Sequence, residues 1–245
     1  LNRNGTRIPV ETTETPLGEG RVIVFRDISE RVRAEKEIRE GWIRLRESLE
    51  GTIQAFATTI EIRDPHTAGH QRRVSRLAEA MARELGLPEE KAEGLRVMGN
   101  IHDIGKIFVP VEILNKPGKI SGLDYVLIQS HPRAGHEILK NIHFPWPVAQ
   151  AVLQHHERLD GSGYPAGLRG EDIMLEARIL SVADVVEAMS ARRPYRTESA
   201  LELALREIAA NRGILYDSRA VDACLRLFRE KNYLFDQPED APAGP

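Results

Sequence analysis

Cysteine is almost absent: Cys224 stands alone among 245 residues. No internal disulfide framework is available, which fits a reducing compartment. Long hydrophobic runs are absent too, and no signal peptide is visible, so a cytoplasmic location with no membrane span in this chain is expected. Neither sign of charge dominates: 34 Lys and Arg face 37 Asp and Glu for a net charge of −3. That excludes a generally basic surface for a nucleic-acid polymer. No internal repeat occurs. The first residue is Leu rather than Met, so upstream sequence is expected. What remains is ordinary globular material, 41% hydrophobic and 29% charged, enough for one good-sized core and a smaller piece.

Three segments follow along the chain. Residues 1–29 contain "TRIPVETTETPL" and "GEGRVIVFRDIS", β-branched stretches bounded by Gly, Pro and polar residues, which read as short strands. Two or three strands make no independent domain; the ending "VFRDIS" resembles the close of a PAS sensor domain passing into a connecting helix. Residues 30–50 read as that helix, continuing to about residue 63, with Ile38, Trp42, Leu45, Leu49, Ile53, Phe56 and Ile60 spaced by three and four. Trp42, Leu49 and Phe56 lie seven apart, as in a parallel coiled coil, which would make the chain a homodimer. A helix packed on its own domain fits equally well. Gly41 and Gly51 each cost about 1 kcal/mol relative to Ala, so the helix needs a partner.

Residues 51–232 are expected to form an all-α bundle, with helices over 64–85, 89–105, 123–140, 147–156, 172–191, 198–210 and 217–231. Asp64 and Pro65 supply an N-cap and first turn. The polar, Pro-rich end, 233–245, is expected to be disordered.

Histidines and aspartates fall on the buried stripes of these helices. His70 precedes Val74, Leu77 and Met81 at spacings of four, seven and eleven, and His102 follows Leu95 and Met98 by seven and four. His131 lies four after Leu127 and seven before Ile138, His155 and His156 end the helix of Val148 and Val152, and Asp184 sits among Ile179, Val182, Val185 and Val186. One inward histidine is more often a hydrogen-bonded core residue than a ligand. Five, with Asp103 and Asp184, are too many to satisfy one another, whereas divalent metal satisfies them all. Nitrogen and carboxylate donors without thiolate favour Fe or Mn over a structural cysteine-type zinc site. Seven donors exceed one six-coordinate ion, so two ions are expected, with Asp103 as the bridge.

The motifs "HDIGK" (102–106), "HHERLDGSGYP" (155–165) and "ADVVEAMSARRPY" (183–195) together resemble the HD-GYP family of metal-dependent phosphodiesterases, over about residues 50–232. The resemblance implies an HD-type helical bundle carrying an N-terminal connecting helix and a short β remnant. It implies hydrolysis of cyclic di-GMP to pGpG and, in some members, GMP, through hydroxide held between two ions. The ligands implied are His70, His102, Asp103, His131, His155, His156 and Asp184. Some members carry a Glu four residues before the first histidine to hold a third ion. Here that position is His66, a candidate third-ion ligand lacking the carboxylate's charge, so two ions are expected rather than three.

Lys106, four residues after His102, is expected on the same helical face, and the resemblance implies that it contacts the scissile phosphate or the hydroxide. Tyr164 on the "DGSGYP" loop, Arg193 and Arg196 are the candidate substrate contacts, the arginines through guanidinium forks on phosphate or guanine. Asp160 is expected to orient a neighbouring histidine; Glu157 either does likewise or is solvated. A catalytically silent module that binds a dinucleotide or a partner is the alternative, and a diguanylate cyclase domain is a candidate partner for the loop.

Overall fold

A computed structural model of the chain describes residues 7–18, 20–63, 69–116, 118, 121–190 and 200–235. The chain divides into two compact units, Leu1–Thr52 and Ile53–Pro245.

In the first unit, β1 (Val10–Leu17) and β2 (Gly20–Asp27) form an antiparallel hairpin, Val10 opposite Asp27 and Leu17 opposite Gly20. Every residue of both strands is exposed, so the hairpin buries no core of its own. The Asp27 carboxylate accepts the Ser29 N–H at 2.8 Å and opens α1 (Ser29–Arg63), an arrangement that satisfies one of the orphan donors of a helix start. Ile38, Trp42, Leu45 and Leu49 on α1 are exposed. Beyond the boundary the same helix buries Ile53, Ala57 and Ile60, and Ile53 and Ile60 join the core of the second unit.

The second unit is helical: α2 (His70–Glu84), α3 (Glu89–Ile101), α4 (Val111–Leu114), α5 (Gly122–Ile128), α6 (His131–Leu139), α7 (Val148–Gln154), α8 (Leu175–Ser190), α9 (Ala200–Ala210) and α10 (Ser218–Arg229). Amphipathic α2 packs on α3, α8 and α10. Val74, Leu77 and Met81 meet Leu95, Met98, Ile179, Leu180, Val182 and Cys224 in one core. Burial of such side chains stabilises by about 1.5–3 kcal/mol each.

Three helices differ from the sequence expectation: the one expected over 64–85 begins only at His70, after Gly69 in a left-handed conformation at φ 70°. The one expected over 89–105 stops at Ile101; the chain turns at His102 and Asp103 and continues as a 3₁₀ helix, Ile104–Phe108. Gly105 explains the turn's tight seat, since a Cβ there would lie 1.9 Å from the His131 carbonyl oxygen. The helix expected over 123–140 is two. Ser121 caps α5 in a reciprocal box with Asp124, and Pro132 in the first turn of α6 lacks the N–H a continuous helix would need. At the other end, Tyr233 and Phe235 pack against the core, with the Tyr233 ring 5.2 Å from Phe228. Disorder therefore does not begin at 233; residues 236–245 lie outside the described residues.

Candidate metal centre

Helix ends carry most of the site. His70 is the first residue of α2, His102 and Asp103 form the turn after α3, His131 is the first residue of α6, and His155 and His156 follow α7. Asp184 comes from within α8. All seven side chains expected to ligate converge; six are buried and His156 is largely so. They form two groups whose donor atoms lie within 4.8 Å of one another: Asp103, His131, His155 and His156, and His70, His102 and Asp184.

Both carboxylates face both groups. Asp103 turns Oδ1 to His131 Nε2 at 3.2 Å and Oδ2 to His102 Nε2 at 3.5 Å and His70 Nε2 at 3.8 Å. Asp184 sets Oδ1 3.3 Å from His70 Nε2 and 3.7 Å from His102 Nε2, with Oδ2 3.9 Å from His156 Nδ1.

The imidazole tautomers are fixed by their outer partners. Nδ1–H donates to a carbonyl three residues back in His102 (Gly99, 2.8 Å), His131 (Ile128, 2.6 Å) and His155 (Val152, 2.6 Å). Each Nε2 is therefore a lone pair aimed inward. Burial, reinforced by neighbouring imidazoles, lowers the pKa of His155 to about 3. Burial likewise lowers His131, to about 4, and His156. These rings are neutral at pH 7. His70 is opposite: burial pulls it down, but Asp184 and Glu187 outweigh burial and hold it up at about 10. Burial would raise Asp103, yet Lys106 and the histidines keep it well below the ordinary carboxylate range. Asp184 is held low in the same way against its burial, by the imidazoles of His102 and His70 beside it.

Divalent metal fits this geometry on two counts. His131 Nε2 and His155 Nε2 lie 3.3 Å apart, two lone pairs facing each other with both ring protons committed outward. Buried His102 Nε2 has no hydrogen-bond partner. Unmet lone pairs in a low-dielectric core are costly, and a cation satisfies all three. The donors are nitrogen and oxygen, the set suited to imidazole- and carboxylate-binding ions.

Lys106 reaches the site, its Nζ 2.7 Å from Asp103 Oδ2, but from the 3₁₀ helix rather than from a helical face shared with His102. The Tyr164 ring stacks 4.8 Å from that of His156, and burial pushes its hydroxyl pKa up. His66, Arg193 and Arg196, with the expected cap Asp64, lie outside the described residues. Asp160 does not orient a histidine: its Oδ1 accepts from Ser162 N and Oγ at 2.9 and 2.7 Å, closing its own turn. Buried Glu157 is neither solvated nor a histidine partner. It takes the Ala166 and Leu168 N–H groups at 2.7 and 2.9 Å and ties down the loop.

One buried residue escaped the sequence reading. Glu187, three after Asp184 on α8, accepts from His70 Nδ1 and from Arg73 Nε, the latter at 2.6 Å. An acidic residue inside the apolar run "SVADVVEAM" was the available signal.

The HD-domain family model matches residues 54–220. The chain is 41% identical over 196 residues to the cyclic di-GMP phosphodiesterase response regulator RpfG of Xanthomonas campestris, covering 79% of this chain and 52% of that protein. It is 36% identical over 184 residues to 3′3′-cGAMP-specific phosphodiesterase 1 of Vibrio cholerae, covering 74% and 42%. The chain thus spans about half the length of these relatives. The solved structure of a cyclic GMP-AMP-specific phosphodiesterase of V. cholerae, V-cGAP3, shares the fold with a TM-score of 0.58 at 21% identity, over 74% of this chain and 49% of that one.

Proposed function

The chain belongs to the HD-domain family, in its HD-GYP branch, and on that premise we propose that it hydrolyses cyclic di-GMP to pGpG, with GMP the product of a second cleavage. The observation that carries this reading is the convergence of two donor groups, with His131 Nε2 and His155 Nε2 facing each other at 3.3 Å while both Nδ1 protons are committed outward. Two divalent ions, Fe or Mn, are the proposed occupants, one for each group, with Asp103 and Asp184 each turned to both. His66 stays a candidate ligand for a third ion, which is not part of this proposal.

Divalent ions held there supply a Lewis acid that lowers the pKa of water and offsets charge on a phosphodiester. The chain's residues do the rest. Lys106 places an ammonium beside Asp103, where it neutralises an incoming phosphate's charge. Tyr164 closes the edge of the site against His156. Glu157 keeps the loop carrying Tyr164 in place through the Ala166 and Leu168 amides. Arg193 and Arg196 are proposed as phosphate or guanine contacts on the family pattern alone.

The exposed apolar stripe of α1 supports a homodimer, with the hairpin and α1 as the output end of an upstream PAS-like sensor. A diguanylate cyclase domain is the partner proposed for the 160–165 loop. The relatives include enzymes named for cyclic di-GMP and for 3′3′-cGAMP, so both belong in the test.

That test is anaerobic reconstitution with Fe(II) or Mn(II), metal counting, and incubation with either dinucleotide, with Asp103→Ala as control. Metal-dependent pGpG, absent from the variant, is expected. Two bound ions with neither dinucleotide cleaved would overturn the enzyme reading in favour of a binding module.

A further inference from the structure

Four histidines of the cluster have a visible partner on Nδ1, and one partner is unlike the others. His102, His131 and His155 each donate to a backbone carbonyl three residues back. His70 instead meets the Glu187 carboxylate, contributed by a different helix. Glu187 is buried, and a buried carboxylate persists only when paired. Its pairing is complete on both oxygens: Oε2 takes His70 Nδ1, and Oε1 takes Arg73 Nε at 2.6 Å.

The spacing explains how the arrangement is built. Arg73 follows His70 by three residues on α2, and Glu187 follows Asp184 by three on α8. Residues three apart share a helical face. One face of α2 thus offers an imidazole and a guanidinium, and the facing side of α8 offers two carboxylates. Asp184 Oδ1 meets His70 on its inner nitrogen at 3.3 Å, while Glu187 holds the outer one.

We propose that Glu187, steadied by Arg73, is a positioning residue that selectively strengthens metal binding at the His70, His102 and Asp184 group. A carboxylate on Nδ1 orients the ring and makes Nε2 a stronger donor than a neutral carbonyl does. In the other group, the Nδ1 hydrogen bonds seen among the described residues, those of His131 and His155, go to carbonyls. The two ions are therefore unequal, and Glu187 sets the difference. This rests on the metal-centre reading above and adds to it a residue outside the ligand set.

The experiment is equilibrium dialysis of the full chain against graded Mn(II), with bound metal counted, for wild type, Glu187→Gln and Arg73→Gln, beside the melting temperature of each metal-free protein. Wild type is expected to bind two ions. Glu187→Gln, which keeps the shape and removes the charge, is expected to hold one ion unchanged and bind the other about 10–100-fold more weakly. Arg73→Gln is expected to weaken the same ion by less, and it carries the test alone if Glu187→Gln does not fold. Binding of two ions with wild-type affinities in a folded variant overturns the proposal. So does parallel weakening of both ions with a lowered metal-free melting temperature, the mark of a purely structural role. Wild type that binds no ion contradicts the metal-centre reading itself.

Discussion

Gly105→Ala tests how the fold holds the centre together. A Cβ at 105 would lie 1.9 Å from the His131 carbonyl oxygen, 2.5 Å from Gly135 N and 2.8 Å from His131 C. All three are backbone atoms, so no side chain can swing aside. Restoring ordinary contact needs the 3₁₀ turn and α6 to part by about 1.5 Å, and interiors packed to crystal density yield reluctantly. Overpacking of this kind costs about 1–3 kcal/mol, which in a domain this size lowers the Tm by about 2–4 °C per kcal/mol. The functional loss should be larger than the structural one. Asp103 precedes the turn and His131 begins α6, and their facing atoms are 3.2 Å apart. Metal donors tolerate misplacement of about 0.2 Å. The expected result is a folded protein, somewhat less stable, whose Asp103, His131, His155 and His156 group no longer retains Mn(II) through desalting. Wild-type melting together with wild-type metal content would refute the reasoning.

Three further outcomes are expected. Lys106→Ala should lower turnover by about 10²-fold, the scale of losing one charge-stabilising donor, while metal content stays near normal; loss of metal would make Lys106 a structural partner of Asp103 instead. Replacing Trp42 and Leu49 on the exposed stripe of α1 with Lys should convert a dimer to a monomer by light scattering, and an unchanged mass would remove α1 as the interface. Burial pushes the Cys224 thiol up to about 12, so between pH 9 and 11 the folded thiol stays protonated while the unfolded one ionises. Its contribution to stability is whole below about pH 9 and falls by about 1.4 kcal/mol per pH unit above it. Urea unfolding of wild type and Cys224→Ala should diverge with that slope, and parallel curves would contradict the burial.

The convergence of the seven side chains was legible because His70, His102, His131 and Asp184 fall at helical spacing from apolar residues, where burial forces a polar side chain to find a partner. Helix ends were less so. The run from Glu89 to Gly105 contains no Pro, and its two interior glycines, Gly94 and Gly99, fit helix or break alike; the stop at Ile101 is imposed by the close approach of Gly105 to α6. Lys106 was expected on a helical face shared with His102, whereas the turn, not a continuous helix, delivers it to Asp103. Glu157 and Asp160 were misjudged because their partners are loop amides whose positions depend on how the chain folds back. Glu187 was visible as a carboxylate in an apolar helix, but its role needed the α2 face that only packing supplies.

The most direct test of the account is anomalous diffraction from crystals of the Mn(II)-loaded protein. The account requires two peaks, one among Asp103, His131, His155 and His156 and one among His70, His102 and Asp184, with Asp103 and Asp184 reaching both. An ordered, undistorted cluster with no anomalous peak inside it would contradict the claim that these buried histidines and aspartates are a metal centre.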